Sequence, residues 1–213
     1  MDEISKLRRD YSLMALNEED VKSDPFNQFS IWFNEAVMAQ VNEPNAMHLA
    51  TITTDGRPSG RMVLLKGLQS DGFTFYTNFQ SNKGKELEQQ PACCLTFFWP
   101  ELERQVRIEG VSERISETAA EQYFQSRPRG SQIGAWASPQ SAVIKNRKIL
   151  ENRMHDLEIK FGETKPIQKP KQWGGFMVRP FLIEFWQGRS NRLHDRIRYL
   201  LAGEKWEIRR LAP

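Results

Sequence analysis

Hydrophobic residues near the start of the chain recur at the spacing of a helix. Asp24 and Pro25 form a typical pair of capping and first-turn residues. The apolar residues that follow lie three or four positions apart: Phe26, Phe29, Trp32, Phe33, Ala36 and Val37. Because this spacing puts them on one helix face, we predict a helix that begins at Pro25 and packs against the core.

Beyond residue 46 the pattern changes to short runs rich in β-branched and aromatic residues, which are typical of strands. In chain order they are MHLATIT, SGRMVLLKGL, FTFYTN, ACCLTFFW, ERQVRIEGVSERI, GGFMVRPFLIEFWQG, RLHDRIRYLL and KWEIRRLAP. They do not alternate regularly with helices, so we expect antiparallel pairing. Since closure removes exposed strand edges, the predicted fold class is mainly β with flanking helices (α+β), built on a closed or split barrel.

Three later segments have helical character. SNKGKELEQQ is predicted to form a short helix, Ser116 to cap a helix through Phe124, and SAVIKNRKILENRMHDLEIKF to form a long amphipathic helix. Before the last of these, RPRGSQIGAW is predicted to be a loop that leads into a helix at Gln132. Because no repeat or low-complexity segment divides the chain, we expect one domain that spans residues 1–213.

The composition narrows the class of protein. With 213 residues, of which 39% are hydrophobic, the chain can bury one substantial core. A formal net charge of +3 is too small to indicate a nucleic-acid partner, and no run approaches the ~18 apolar residues of a membrane span. The three histidines lie in no metal-binding motif. We therefore expect a soluble, cytoplasmic protein without a metal site.

Neither of the usual glycine-rich phosphate loops is present, so a phosphate would have to be held by side-chain cations. The candidates are Arg61, Lys66, Lys83, Lys85, Arg127 and Arg129. For each of them alone, a solvated surface charge is an alternative interpretation. The segment RMVLLK is more informative, because on a straight strand each face combines a cation with apolar residues. We therefore predict a partly buried cation at Arg61, Lys66 or both, with an anion beside it.

The loop RPRGSQIGAW carries an arginine and a serine that can hold a phosphate together. Tyr123 lies four residues before Arg127 and can share its face if the helix continues that far; core packing is the alternative for this tyrosine. The polar residues Gln105, Gln140 and Ser141 lie near apolar segments, as binding of a heteroaromatic ring would require, although ordinary surface polarity explains them equally well.

The segment FWQGRSNRLHDRIRY is rich in cations. Read as one strand, it puts Arg192, His194 and Arg196 on the same face. A ligand-binding face is one interpretation, and an edge strand whose charges deter aggregation is the other.

Taken together, several stretches resemble the pyridoxine/pyridoxamine 5′-phosphate oxidase family over nearly the whole chain. These stretches are LRRDY, RMVLLK, FYTN, ERQVRIEG, YFQSRPRGSQIGAW, QS at residue 140, WGGF, EFWQG, RLHDR and RLAP. The resemblance implies an FMN-binding split β-barrel with FMN at a homodimer interface.

The resemblance also implies roles for individual residues. Positions that hold FMN are matched by Arg61, Lys66, Tyr76, Thr77, Lys83, Gln105, Gln140, Ser141, Trp186 and Arg196. Positions that hold the phosphate of the B6 vitamer are matched by Lys66, Tyr123, Arg127 and Ser131. Arg192 and His194 match residues against the pyridine ring and are the expected catalytic residues. Arg8 and Tyr11 match a segment that folds over the substrate, within a mobile N-terminal stretch of residues 1–20.

Two departures from the family pattern stand out. Asn82 replaces the more usual arginine in the motif before Lys83, which removes one cation near the FMN phosphate. Asp10 replaces a more usual glutamate in the N-terminal segment.

The activity that the resemblance implies is oxidation of pyridoxamine or pyridoxine 5′-phosphate to pyridoxal 5′-phosphate, with O2 as electron acceptor and H2O2 as product. One alternative is a non-catalytic protein that carries FMN or pyridoxal phosphate, and another is a flavin reductase-like enzyme. The presence of both the flavin set and the vitamer set on one chain favours the oxidase, because a carrier of one ligand does not need the residues for the other.

Overall fold

The computed structural model describes residues 3–7 and 10–213, and its main element is an antiparallel sheet. The strands are β1 (Ala46–Ile52), β2 (Pro58–Leu64), β3 (Gly67–Gln69), β4 (Gly72–Asn78), β5 (Ala92–Trp99), β6 (Arg104–Arg114), β7 (Trp173–Gln187), β8 (Asp195–Ala202) and β9 (Lys205–Leu211). The α-helices are α1 (Pro25–Met38), α2 (Asn82–Gln89), α3 (Glu117–Ser126), α4 (Arg129–Ala137) and α5 (Lys148–Phe161).

The sheet divides at its longest strand, β7. The main path runs β2-β1-β5-β6-β7-β4-β3, while β8 pairs with β7 and β9 pairs with β8. The first part of β7 pairs with β4 between Trp173 and Val178, whereas its last part pairs with β8 between Leu182 and Gln187. Opposite Glu109 and Gly110 of β6, β7 has one extra residue, Phe181, and a bulge of this kind bends a sheet. The sheet therefore curls into a half-barrel, which confirms the mainly β, split-barrel prediction.

Helix α1 packs against the barrel as the hydrophobic spacing predicts. Asp24 caps it by accepting the N–H of Phe26 at 3.0 Å, and Pro25 is its first residue. Phe29 is completely buried, and its ring centroid lies 4.9 Å from that of Phe73 and 5.0 Å from that of Phe97. One helix residue thus joins two strands of the main core.

A second, smaller hydrophobic cluster connects α3 and α4 to the start of β7. Its buried members are Phe124, Ile133, Ile167 and Trp173. The buried Lys169 supports this cluster, because its ammonium group donates to the carbonyl of Trp173 at 2.9 Å and forms an ion pair with Glu117 at 2.6 Å. The indole of Trp173 is therefore held in a fixed place.

Three local predictions were wrong. Helix α4 begins at Arg129 rather than Gln132, directly after Pro128 restricts the backbone. Helix α5 begins only at Lys148, and Ser141 has a left-handed φ of 71° that no helix accommodates. The segment before Asp195 is not a strand, because Asn191 and Arg192 have φ values of 57° and 61° and form a 3-10 turn.

The N-terminal segment makes specific contacts with the barrel. The carboxylate of Glu103 accepts the N–H groups of Ser12 and Leu13 at 2.9 and 3.1 Å, and that of Asp195 accepts the N–H of Leu16 at 3.1 Å. Arg8 lies outside the described residues, and the mobility of residues 1–20 stays a prediction. Of the helices in the described part of the chain, none has both the length and the apolar character needed to cross a membrane.

We expect Phe29→Ala to lower the free energy of unfolding by about 3–5 kcal/mol, because it leaves a cavity where α1 meets β4 and β5. Urea titration followed by far-UV circular dichroism measures this loss. Val37→Ala is the matched control on the same helix, since Val37 is 50% exposed; it should change stability by less than about 0.5 kcal/mol. Equal losses in both variants would contradict the packing described here.

Candidate active site

Most of the predicted phosphate and flavin residues surround one cavity of about 450 Å³, which we call cavity A. It lies where β2, β4, α3, α4 and the start of β7 meet. The predicted residues that line it are Lys66, Tyr76, Thr77, Lys83, Tyr123, Arg127, Ser131 and Gln140. The structure therefore brings together side chains that are up to 74 positions apart in the sequence, from Lys66 to Gln140.

Aromatic rings form one wall of cavity A. The rings of Tyr76 and Tyr123 stack at a centroid distance of 3.8 Å, and Trp173 continues the stack at 5.3 Å from Tyr76. Burial raises the pKa of both tyrosine hydroxyls. Both phenols therefore stay neutral at physiological pH and can donate hydrogen bonds.

Arg127 presents an unsatisfied cation to this cavity. Its guanidinium lies 4.7 Å from the centroid of the Trp173 ring, and its Nη1 atom is buried without a hydrogen-bond partner. Burial lowers the pKa of this guanidinium, although an arginine stays protonated. Because buried polar groups in proteins are nearly always paired, the orphaned Nη1 indicates that cavity A is built to accept an anion.

Lys83 is a second cation in cavity A. Its ammonium group lies 3.2 Å from Oε1 of Gln140 and 3.5 Å from Oγ1 of Thr77. Burial lowers the pKa of Lys83, and the nearby charge of Arg61 lowers it further, while the charge of Glu86, one helical turn away, raises it. No carboxylate, Glu86 included, forms a salt bridge with Lys83 in residues 3–7 and 10–213. A second anion therefore fits beside it.

Two predicted flavin residues lie next to cavity A without lining it. The guanidinium of Arg61 is bonded to Thr51, Ser59 and Glu86. The hydroxyl of Ser141 accepts the N–H of Asn82 at 3.3 Å, at an adjoining cavity of about 350 Å³. The partly buried cation predicted in RMVLLK is therefore Arg61, and its anion is Glu86.

The remaining predicted residues form a second cluster at the other end of β7. Gln105, Trp186 and Arg196 lie in one row across β6, β7 and β8. The ring of Trp186 lies 4.7 Å from that of His194 and 5.7 Å from that of Tyr11, measured between centroids. Beside this row is a cavity of about 690 Å³, cavity B, whose lining residues are Leu7, Asp10, Tyr11, Arg189, Asn191, Arg192 and His194.

The position of the proton on His194 follows from one hydrogen bond. Its Nδ1 atom accepts the backbone N–H of Arg189 at 3.1 Å. Because a backbone N–H can only donate, Nδ1 must carry a free lone pair in this arrangement. The other ring nitrogen, Nε2, is then the one that carries a proton.

Arg196 is held by a buried acid. The carboxylate of Glu184 accepts from Nε of Arg196 at 2.8 Å and from Nη2 of Arg107 at 2.7 Å, and Glu184 is only 2% exposed. Burial by itself would raise the pKa of Glu184, but the hydrogen bonds from Arg196 and Arg107 outweigh it and lower the pKa. The ionised carboxylate of Glu184 therefore fixes the orientation of the Arg196 guanidinium.

The two clusters are far apart within one chain. Trp173 opens β7 at cavity A, and Trp186 lies thirteen residues later at the second cluster. An extended strand covers about 40 Å over that length. A typical ligand pocket, with a volume of about 300–1,000 Å³, is much shorter than this distance. Within the part of the chain that the structure describes, cavities A and B share no lining residue.

Comparison with known proteins identifies the family. A family model described as pyridoxamine 5′-phosphate oxidase matches residues 33–161, and one described as the pyridoxine 5′-phosphate oxidase C-terminal dimerisation region matches residues 173–213. The chain belongs to the pyridoxine/pyridoxamine 5′-phosphate oxidase family. The resemblance seen in the sequence motifs is thus confirmed, and the chain is an oxidoreductase.

Individual relatives agree with this assignment. The pyridoxine/pyridoxamine 5′-phosphate oxidase of Acaryochloris marina is 54% identical over 210 residues, which cover 99% of this chain and 95% of that protein. The one from Polynucleobacter asymbioticus is 52% identical over the full length of both. The crystal structure of PhzG from Burkholderia lata 383, in complex with tetrahydrophenazine-1-carboxylic acid, is similar with a TM-score of 0.89 and 29% identity, over 96% of this chain and 100% of that chain.

Sequence reasoning missed three residues that shape the site: Trp173, Glu184 and Glu86. Glu184 could have been recognised from the sequence, because it is the single acidic residue in the apolar run FLIEFW. Glu86 follows Lys83 by three positions and so lies on the same helix face, but nothing local links it to Arg61. The roles of the predicted site residues as ligand contacts stay predictions.

The ion pairs of Glu184 should make the free energy of unfolding depend on pH in the acid range. Since its folded-state pKa lies below the ordinary 4.5, the stability it contributes is present above about pH 4.5 and is lost as pH falls through the lowered value. We expect Glu184→Gln to be less stable than wild type near neutral pH, and the gap to shrink in acid. Urea unfolding over a pH series tests this.

The control for this series is Glu151→Gln, which removes an exposed partner of Arg147 and should shift stability by less than about 0.5 kcal/mol at any pH. A gap between wild type and Glu184→Gln that stays constant into acid would show that the carboxylate charge does not stabilise the fold.

Proposed function

We propose that the chain oxidises pyridoxamine or pyridoxine 5′-phosphate to pyridoxal 5′-phosphate with bound FMN. The observation that carries this proposal is the pair of cations in cavity A, Arg127 and Lys83, with which no carboxylate in the described part of the chain forms a salt bridge. A flavin mononucleotide and a phosphorylated vitamer bring one phosphate each. Two separate cations in one cavity match two phosphates better than they match a single ligand.

The residues around Lys83 fit the flavin nucleotide. Lys83 supplies charge for its phosphate, while Thr77 and Gln140 supply neutral hydrogen-bonding groups. The second cluster, at the other end of β7, offers an amide, an indole and a guanidinium to the same ligand. These groups belong to Gln105, Trp186 and Arg196. When bound, FMN would supply the two-electron acceptor, with O2 as the final oxidant and H2O2 as the product.

The residues around Arg127 fit the vitamer. Arg127 has an unsatisfied donor, Ser131 and Lys66 line the same cavity, and the Tyr123 hydroxyl is neutral. A phosphate held by these four groups fixes the rest of the molecule, so that binding energy far from the reacting carbon is used for alignment. The stacked rings of Tyr76 and Trp173 exclude water from this wall.

Arg192 and His194 are proposed to contact the pyridine ring. His194 would offer Nε2–H as a donor, because Nδ1 is occupied by the backbone of Arg189. Arg192 adds planar guanidinium N–H donors, which can bond an oxygen substituent of the ring and so orient it. Neither residue needs to remove a proton from carbon, since a hydride leaves with both bonding electrons.

We also propose that the active enzyme is a homodimer in which each site combines cavity A of one chain with cavity B of its partner. The roughly 40 Å that separate the two ends of β7 support this arrangement. The family region named for dimerisation, residues 173–213, supports it too, because it contains Trp186, Arg192, His194 and Arg196.

Peroxide production tests the activity. The purified protein loaded with FMN should form peroxide with pyridoxamine 5′-phosphate and much less with unphosphorylated pyridoxamine. Arg127→Ala should raise KM for the phosphorylated vitamer by about tenfold to a hundredfold, as expected for loss of a charge-assisted contact, and should leave FMN affinity unchanged. Bound FMN without turnover would favour a carrier, and turnover of tetrahydrophenazine-1-carboxylic acid alone would favour a different substrate class.

Mixed dimers test the shared site. One tagged chain carries Arg127→Ala, and a differently tagged chain carries both Arg192→Ala and His194→Ala. At a substrate concentration well below the KM of the Arg127→Ala variant, each parent dimer should be nearly inactive. Random assembly should restore about a quarter of wild-type activity, because about half of the dimers are mixed and each mixed dimer has one intact site of two.

Isolation of the mixed dimer through both tags supplies the control, since its activity should rise to about half of wild type. Mixed dimers that are no more active than their parents would mean that each chain contains a complete site.

A further inference from the structure

Arg61 is held by an unusually complete set of partners. It lies on β2, on the face that points inward with Val63, and its guanidinium is half-buried. Nη2 donates to Oγ of Ser59 at 2.6 Å and to Oε2 of Glu86 at 2.9 Å, while Nη1 donates to Thr51. The planar guanidinium is thus fixed in one orientation.

Glu86 provides the charge in this set. It is 9% exposed, and it lies one helical turn after Lys83 on α2. Its Oε2 atom also accepts the hydroxyl of Thr51 at 2.5 Å. One carboxylate therefore connects α2 to β1 and β2, and it holds the guanidinium of Arg61 close enough to Lys83 for the two positive charges to interact.

We infer that Glu86 is a positioning residue, which holds Arg61 beside Lys83 so that the two cations receive the phosphate of the flavin nucleotide together. This inference rests on the proposed function, because it assumes that FMN is the ligand of this part of cavity A. In this role Glu86 acts through Arg61 without touching the ligand, while its charge also raises the pKa of Lys83 against the lowering effect of burial.

Removal of the Glu86 charge should change FMN affinity in the direction opposite to that expected from charge alone. Glu86 is an anion near a phosphate site, so its negative charge by itself repels the ligand. If only charge mattered, removing it would tighten FMN binding. If Glu86 positions Arg61, removing it lets the guanidinium move away, and FMN binding weakens in spite of the more positive site.

The experiment compares FMN with riboflavin, which has the same ring system and no phosphate. Both are titrated into apoprotein, and binding is followed by quenching of flavin fluorescence. We expect Glu86→Gln to weaken FMN binding about tenfold, equivalent to about 1.4 kcal/mol, and to leave riboflavin binding unchanged. Unchanged or tighter FMN binding by the folded variant would overturn the inference.

Glu88→Gln is the matched control on the same helix. It removes the same charge two residues further on, but Glu88 is paired with Arg114 and does not contact Arg61. Its FMN affinity should equal that of wild type or be slightly higher. Weakening equal to that of Glu86→Gln would mean that the effect comes from the helix and not from Arg61.

Thr51→Val provides a second test without a change in charge. If Glu86→Gln does not fold, this variant tests whether the contacts of Arg61 are needed for FMN binding. It removes the hydroxyl that joins Arg61 to Glu86 and keeps a β-branched shape suited to a strand. We expect a smaller loss in the same direction, about threefold, with riboflavin binding unchanged. No loss for FMN would contradict the inference.

Thermal melting of each apoprotein checks that the variants are folded. The wild type separates this inference from the proposed function. If wild-type apoprotein binds FMN no more tightly than riboflavin, the assignment of FMN to cavity A fails. If wild type prefers FMN and Glu86→Gln keeps that preference, only the role of Glu86 fails.

Discussion

The length of one strand determines how far apart the two clusters of predicted site residues lie. β7 is continuous from Trp173 to Gln187, and it takes part in both halves of the split barrel. A strand of this length is rigid only when neighbours pair with it on both sides, which β6, β4 and β8 do. Its ends therefore cannot approach each other. The separation of cavities A and B follows from this strand, and it is the basis of the proposal that a second chain completes each site.

Within each half, a buried glutamate fixes an arginine. Glu86 holds Arg61 beside cavity A, and Glu184 holds Arg196 in the row that contains Trp186. Buried ion pairs contribute little net stability, because desolvation offsets the Coulomb attraction. Their benefit here is geometric: an arginine that is already oriented loses less side-chain entropy when an anion binds. Arg127 differs from both, since aromatic rings lie beside it and no carboxylate of residues 3–7 and 10–213 forms an ion pair with it. This free charge is what the proposed function assigns to the phosphate of the vitamer.

The parts of the fold that local patterns determine could be predicted from the sequence. Asp24, Pro25 and the apolar spacing after them define α1, and the alternating runs define the strands. The turn at Asn191 and Arg192 could not be found in this way, because its left-handed backbone depends on contacts made by Arg189 and Asp195. The pairing of Arg61 with Glu86 was also out of reach, since it joins residues 25 positions apart on two different elements, β2 and α2. The motifs predicted which residues belong to the site, while their division between two ends of the sheet required the course of β7.

Asp195 connects the N-terminal segment to the turn that precedes β8. Its two carboxylate oxygens accept the N–H of Leu16 and donors from Arg189 and Arg210. Burial would raise the pKa of Asp195, but these hydrogen bonds outweigh it and lower the pKa, so the group remains ionised. Arg189 in turn donates its backbone N–H to His194. Docking of residues near Leu16 and the orientation of the His194 ring therefore depend on the same carboxylate. Because Tyr11 packs against both Trp186 and His194, the segment that covers cavity B and the residues inside it form one connected unit.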